Sequence, residues 1–258
     1  MKNRKKNNYF FSLLGSLFPI LRKYSTKINV HPDSLLKRIV YNKNYNYMYF
    51  RIPKCANSTI VKTLCYYDKN VIFKEKSYLG YHKNQLKSNK FKLLLLNKFP
   101  KNKFKFTFVR NPYSRVLSAY LDKIINPNHD KSITKIRNKI KRKYIKNKNS
   151  KIQFSDFITY LEKEGLYDNF HWAPQSDLIP KDIKNINFVG KVENINKDLK
   201  FCIKKVFGKE KAKKFKIKNA NSHKTNSSEK FAKYYTPDLQ KRVYKLYKND
   251  FQKFKYKK

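Results

Sequence analysis

Two stretches of the chain share one pattern of apolar and polar positions: YMYFRIPKCANSTIVKT, from Tyr47 to Thr63, and FKFTFVRNPYSRVLSAY, from Phe104 to Tyr120. Each opens with a run of aromatic and branched residues, stops at a basic turn containing proline, and resumes with apolar residues at helical spacing. The pattern predicts a strand, a loop and a helix, twice. In the first stretch the apolar positions are nearly continuous, as in a strand buried on both faces. Ile52-Pro53 closes that strand, and Lys54 to Asn57 forms the turn. Ser58 or Thr59 supplies a cap-type hydroxyl, and Ile60, Val61 and Leu64 mark the inner face of the helix.

The remaining periodicity fills in a single domain. Asn70 to Phe73 reads as a short second strand. Leu86, Leu93 and Leu96 stand at helical spacing, which predicts a crossover helix over Asn84 to Phe99 leading into the Phe104 strand. Phe154 to Glu164 reads as a helix stopped by Gly165, Ile186 to Val192 as a strand, and Leu199 to Val206 as a helix. Thr236-Pro237 is an N-cap followed by an N1 proline, with Leu239, Val243, Leu246 and Tyr247 at helical spacing behind it. Strands alternating with helices predict an α/β fold: one mostly parallel sheet of about 4–5 strands, flanked by helices. Residues 1–42 form a basic and apolar lead-in, and residues 43–258 the domain, with a basic helical insertion at about 127–150.

Composition alters this picture only in part. With 258 residues, 40% of them hydrophobic and 16% aromatic, the chain can bury a sizeable core. The formal net charge of +45 suggests an anionic partner, nucleic acid or membrane included. Lysine supplies nearly all of that charge, in a chain crowded with Asn, Ile, Phe and Tyr, and such charge runs are most often solvated surface. Only nine residues are arginine, and three of these, Arg51, Arg110 and Arg115, fall in the two patterned stretches. Guanidinium gives planar, two-point phosphate recognition that lysine does not. In the insertion, Ile133, Ile136 and Ile140 mark one helical face and the rest is almost wholly basic, either an arm for an anionic acceptor or lipid or a solvated surface.

The odd set of Cys55, Cys65 and Cys202, without metal-ligand spacing, suggests a reducing, cytoplasmic compartment and no bound metal. Residues 9–21 are apolar behind a basic tip, too short to span a bilayer and without a cleavage site. They suit peripheral membrane contact or packing on the domain.

The chemistry gathers at the two turns. A strand-loop-helix turn aims backbone N–H groups and the positive end of a helix dipole at one point, where a phosphate or sulfate binds. The spacing is not that of the triphosphate loop GxxxxGK[ST], since Lys54 precedes the turn and no glycine is present. PKCANST instead resembles the 5′-phosphosulfate loop of sulfotransferases, and FVRNPYSRVLSAY resembles their 3′-phosphate motif almost residue for residue. The resemblance is to the carbohydrate (membrane-associated type) sulfotransferases and their bacterial relatives, over Tyr47 to the C-terminus. Ala56 stands where that family has glycine, and a Cβ there is expected to favour a negative φ and to crowd the sulfate.

The resemblance implies a P-loop-NTPase-like sulfotransferase fold and transfer of a sulfuryl group from 3′-phosphoadenosine 5′-phosphosulfate to a hydroxyl of a carbohydrate, itself neutral or anionic, without metal or nucleic acid. By residue, it implies Arg51, Lys54 and the Cys55, Ala56, Asn57, Ser58 and Thr59 loop at the phosphosulfate, Arg110 and Ser118 at the 3′-phosphate, and Ser222, His223 and Lys224 in a polar loop over the nucleotide. FHWAPQS resembles a family segment facing the acceptor, which puts His171, Trp172 and Gln175 on the sugar. His82 and Glu193 are the two base candidates, His82 because a neutral imidazole is available near pH 7. Each has a plainer reading: His82 as a surface or second-layer imidazole, Glu193 as a carboxylate at a helix N-terminus, Trp172 as core, Cys55 as a small loop residue rather than an activated thiol. The competing function is a non-enzymatic basic protein that binds nucleic acid or anionic polysaccharide.

Overall fold

The computed structural model describes residues 35–76, 79–86, 93, 99–126, 131–145, 150–181, 186–219 and 225–258. Its centre is a four-stranded sheet, β1 (Ile39–Asn42), β2 (Tyr47–Phe50), β3 (Phe104–Val109) and β4 (Phe188–Lys191), whose spatial order is the order of the chain. β1 runs antiparallel to β2, while β2, β3 and β4 are parallel, with Tyr49 beside Phe106 and Phe106 beside Phe188. The mostly parallel α/β sheet is therefore present, and its edge strand β1 is an element the periodicity did not single out.

The continuous apolar run of β2 faces helices on both sides. Tyr47 and Tyr49 pack with Phe106, Phe108 and Ile60 and Leu64 of α1 (Asn57–Tyr67). Met48 and Phe50 face the opposite layer with Ile52, Val109, Phe170 and Ala173. Gly190 of β4 lies opposite Phe108, whose ring would meet a Cβ there at 2.6 Å, so only glycine lets the ring lie flat on the strand. A third cluster gathers around α3 (Pro112–Ala119), α4 (Lys131–Tyr144), α5 (Phe154–Tyr160) and α9 (Pro237–Leu246), with Trp172 inside it.

Asn70 to Phe73 is not a strand. The Asp68 carboxylate accepts the Asn70 N–H at 2.9 Å and the Asn42 side-chain amide at 2.7 Å, which turns the chain away, and β1 already occupies the edge of β2. The crossover helix expected over Asn84 to Phe99 lies largely outside the described residues; a short helix, α2 (Leu79–Gln85), begins earlier and carries His82. β4 and α6 (Ile195–Phe207) stand where expected, and two short helices follow, α7 (Lys209–Lys213) and α8 (Phe231–Tyr234). Thr236 caps α9 by accepting the Leu239 N–H at 3.3 Å.

In the insertion, Ile133 and Ile140 are buried and Lys139 and Lys143 pair with Glu164 at 2.9 and 3.1 Å. Part of that basic helix therefore docks on the turn after α5. Residues 9–21 lie outside the described residues, among which no helix is long and apolar enough to cross a membrane.

Candidate active site

Parallel pairing of β2 and β3 brings their carboxyl ends, and so both basic turns, to the same sheet edge, the edge at which open parallel sheets collect ligands. The Thr107 hydroxyl donates to the Phe50 carbonyl at 2.7 Å where β2 ends. Just beyond, the Arg110 guanidinium donates to the Lys54 carbonyl at 3.4 Å and to Ser227 Oγ at 2.9 Å. The two turns share one cleft.

The first turn is held in unusual backbone geometry. Lys54 has φ +67° and Ala56 φ +50°, both left-handed. Ala56 thus adopts the conformation glycine would take, contrary to the expected negative φ, at a cost of about 1 kcal/mol. It is the N-cap of α1 and no side chain caps that helix. Ser58 and Thr59, expected to supply a cap hydroxyl, lie in the first turn instead. A helix N-terminus left without a side-chain cap keeps its N–H groups and dipole for an anion.

Lys54 Nζ pairs with Asp122 Oδ2 at 3.0 Å, and Lys123 approaches the same oxygen at 3.2 Å. Burial lowers the Lys54 pKa, partly offset by the Asp122 charge. Burial also raises that of Asp122, but the lysines outweigh it and hold the carboxyl below its ordinary range. Asp122 stands four residues after Ser118, on the π-helical turn Tyr120–Ile125 that continues α3. The i, i+4 spacing was the signal that could have revealed it.

The second turn is capped: Asn111 Oδ1 accepts from the N–H of Tyr113 and Ser114, with Pro112 at N1. Ser118 is buried and its hydroxyl lies 3.0 Å from that of Thr225. Ser227 and Ser228 reach Arg110. Thr225, Ser227 and Ser228 therefore lie against the second turn and its helix, while Ser222, His223 and Lys224 lie outside the described residues.

Two side chains stitch the first turn to the FHWAPQ segment. Arg115 is buried, and its guanidinium donates to the carbonyls of Pro53 at 3.1 Å, Ala173 at 2.8 Å and Phe170 at 3.0 Å. Gln175 is wholly buried: its Oε1 accepts from Cys55 Sγ at 3.1 Å and the Arg110 N–H at 2.9 Å, while Nε2 donates to the Arg110 carbonyl at 2.8 Å. Behind it, the buried Asp250 carboxylate on α10 (Lys248–Lys253) accepts from the N–H groups of Gln175 and Ser176 at 2.7 and 2.8 Å. Burial raises the Asp250 pKa, with those donors opposing it. Neither Asp250 nor the role of Arg115 had a local signal in the chain.

Several side chains expected to touch ligand are engaged within the protein instead. Gln175 has no amide group left for a sugar. Trp172 is core: its Nε1 donates to the Gly165 carbonyl at 2.9 Å and its ring meets Phe157 edge-on. Cys55 is buried and its thiol is pushed up by burial to about 12, so it is no nucleophile. Arg51 donates to the Lys37 and Arg38 carbonyls, bracing the lead-in to β1. Glu193 is exposed, with Oε1 accepting the Asn111 N–H at 2.7 Å and Oε2 the Tyr256 hydroxyl at 2.9 Å, so it braces the second turn.

His82 is buried with its ring against Phe73, and the charges around it are Lys62 and Glu75, not those around Lys54. Burial, with Lys62, lowers its pKa. The next residue on α2, Lys83, faces the site's cations instead: burial, then Arg51, Arg38 and Lys123, bring its amine down to about 8. Among the described residues, the imidazole whose charged surroundings include Lys54 is His171. Its pKa is held well below the ordinary value by burial and by Lys123, Arg38 and Lys54, with Asp122 opposing.

The site is thus a cationic cleft over an uncapped helix N-terminus, at the carboxyl ends of parallel strands. The sulfotransferase-family model matches residues 37–257. The chain belongs to the sulfotransferase family. Among curated proteins, this family member is similar to carbohydrate sulfotransferase 14 of Danio rerio, 27% identical over 208 residues, covering 74% of the chain and 51% of that protein. It is 24% identical over 252 residues to carbohydrate sulfotransferase 11 of Rattus norvegicus, covering 90% of the chain and 70% of that protein. Against carbohydrate sulfotransferase 9 of Homo sapiens the identity is 25% over 242 residues, 88% of the chain and 54% of that protein. The chain spans about half the length of the fish and human relatives. No solved structure gives a significant match.

Proposed function

We propose that this protein transfers a sulfuryl group from 3′-phosphoadenosine 5′-phosphosulfate to a hydroxyl of a carbohydrate. The observation that carries the reading is the Arg110 guanidinium resting on the Lys54 carbonyl, which brings the two basic turns side by side at one sheet edge. A ligand anionic at both ends suits that arrangement. The N–H groups from Ala56 to Thr59 receive the phosphosulfate, Lys54 neutralises charge on the leaving 5′-phosphate oxygen, and Arg110 with Ser118 takes the 3′-phosphate. The acceptor oxygen attacks sulfur, the bond from sulfur to the 5′-phosphate oxygen breaks, and the hydroxyl proton passes to a base. Fixed positive groups at the point of developing charge supply most of the rate. The relatives' names support carbohydrate as the acceptor class.

The test is a calorimetric titration with 3′-phosphoadenosine 5′-phosphate, ATP and 5′-AMP. The first is expected to bind tightest, and Arg110→Ala to lose about 10- to 100-fold for that ligand alone, the scale of charged hydrogen bonds. Equal binding of all three, with a steep dependence on salt, overturns the proposal and favours a general polyanion binder.

A further inference from the structure

Arg115 joins the Lys54 turn to His171: it grips Pro53, the residue before Lys54, together with Phe170 and Ala173, which flank His171. Gln175 adds a second stitch from the same segment to Cys55. The His171 segment is thereby fastened against the Lys54 turn by buried contacts that do not involve the ring itself.

The ring's tautomer is also set. Asn169 Oδ1 lies 3.0 Å from the His171 backbone nitrogen and 2.6 Å from its Nδ1. A backbone N–H can only donate, so the Asn169 atom facing it is the acceptor oxygen. The same oxygen then requires a proton on Nδ1. In a neutral ring that leaves the lone pair on Nε2, the form a general base requires.

We propose that His171 is the catalytic base, its Nε2 taking the proton of the acceptor hydroxyl as that oxygen bonds to sulfur and the nucleotide departs. The assignment rests on the sulfotransferase reading above and replaces both His82 and Glu193 in that role. Among the described residues, the charges that act most on the ring are Lys123 and Asp122 from the π-helical turn, Lys54 from the first turn and Arg38 beside β1. Burial, together with these three cations, resists formation of an imidazolium, keeping the base free at neutral pH. Asp122 is the one carboxylate among these charges, and it eases the proton's arrival.

Two measurements test it. In the nucleotide-free protein, nitrogen NMR of the labelled ring is expected to show an Nδ1–H tautomer that stays neutral below pH 6. An Nε2–H tautomer, or an imidazolium at pH 6, overturns the proposal. The second reads release of labelled sulfate from 3′-phosphoadenosine 5′-phosphosulfate, with water as the acceptor, across pH. His171→Ala is expected to lose about 100-fold in rate, the lower range for a general base, while its affinity for 3′-phosphoadenosine 5′-phosphate stays within about twofold. Asn169→Asp keeps the oxygen on Nδ1 and adds a negative charge that raises the ring's pKa, so the acidic limb of its pH–rate profile moves to higher pH. A merely structural His171 does not produce that displacement. His171→Ala with wild-type rate and profile, or Asn169→Asp with an unmoved limb, overturns the proposal. Failure of the wild type to bind 3′-phosphoadenosine 5′-phosphate sinks the sulfotransferase reading instead, and leaves the tautomer result standing.

Discussion

The side-chain amide of Gln175 pairs with the backbone of Arg110 in both directions, accepting its N–H at 2.9 Å and donating to its carbonyl at 2.8 Å. A side chain 65 residues away thus completes the end of β3 as a further strand would, and fixes the residue from which the guanidinium projects. Gln175→Leu removes the side-chain partner of both the Arg110 amide and the Arg110 carbonyl. A loss of about 3 kcal/mol in urea unfolding is expected, since each orphaned buried group costs ~1–3 kcal/mol. Affinity for 3′-phosphoadenosine 5′-phosphate, measured below the unfolding transition, falls with it.

Ala56 at φ +50° carries backbone strain that glycine does not. Ala56→Gly is expected to raise the melting temperature by about 2–4 °C, the shift that ~1 kcal/mol produces in a domain of this size. Scanning calorimetry reads it directly. A lower melting temperature would mean that the gain in unfolded-chain entropy outweighs the relieved strain.

Lys54 stands two residues before Ala56, the N-cap of α1, and it is held by Asp122 at 3.0 Å. Lys54→Ala is expected to cut kcat/KM for sulfate transfer by about 100- to 1,000-fold, the scale of one preorganised donor in a transition state. Asp122→Asn probes the other partner. It removes the carboxylate that shares its charge with Lys54 and Lys123, and nucleotide affinity is expected to rise while the variant keeps its fold. Parallel titration and circular dichroism check both halves.

Glu164 holds α4 to the turn after α5. Burial pushes its pKa up, and donors from Lys139, Tyr144 and Lys143 outweigh that and bring it down to about 2, from an ordinary 4.5. A carboxyl depressed in the folded state stabilises above its unfolded value and loses that stabilisation as pH falls through the folded one. The contribution is therefore complete above pH 4.5 and gone near pH 2. Because the pairs are partly exposed, about 1 kcal/mol is the upper scale. Glu164→Gln should lower the urea midpoint at pH 7 and match the wild type near pH 2.

The chain by itself determined the two strand-loop-helix units, the strand at Phe188, the proline-led helix start at Pro237, and the family to which the motifs point. These depend on spacing within a few turns of backbone, where apolar runs, caps and proline act locally. The meeting of Lys54 with Arg110 was legible too, because parallel neighbours must end at one sheet edge. The edge strand β1 was not, since Ile39 to Asn42 is too short to show a period. Nor was the division of labour among the candidates. His82 points into the core while Lys83, one residue on, faces the site's cations, because successive residues on a helix diverge by about 100° and only packing decides which direction is inward. Trp172 and Gln175 look like binding residues as a string of letters, but the fold spends one on the core and the other on hydrogen bonds to Cys55 and Arg110. The His171 segment lies against the Lys54 turn because Arg115 and Gln175 clamp it there. Contacts between residues so far apart in the chain exist only after the sheet and its flanking helices have closed around them.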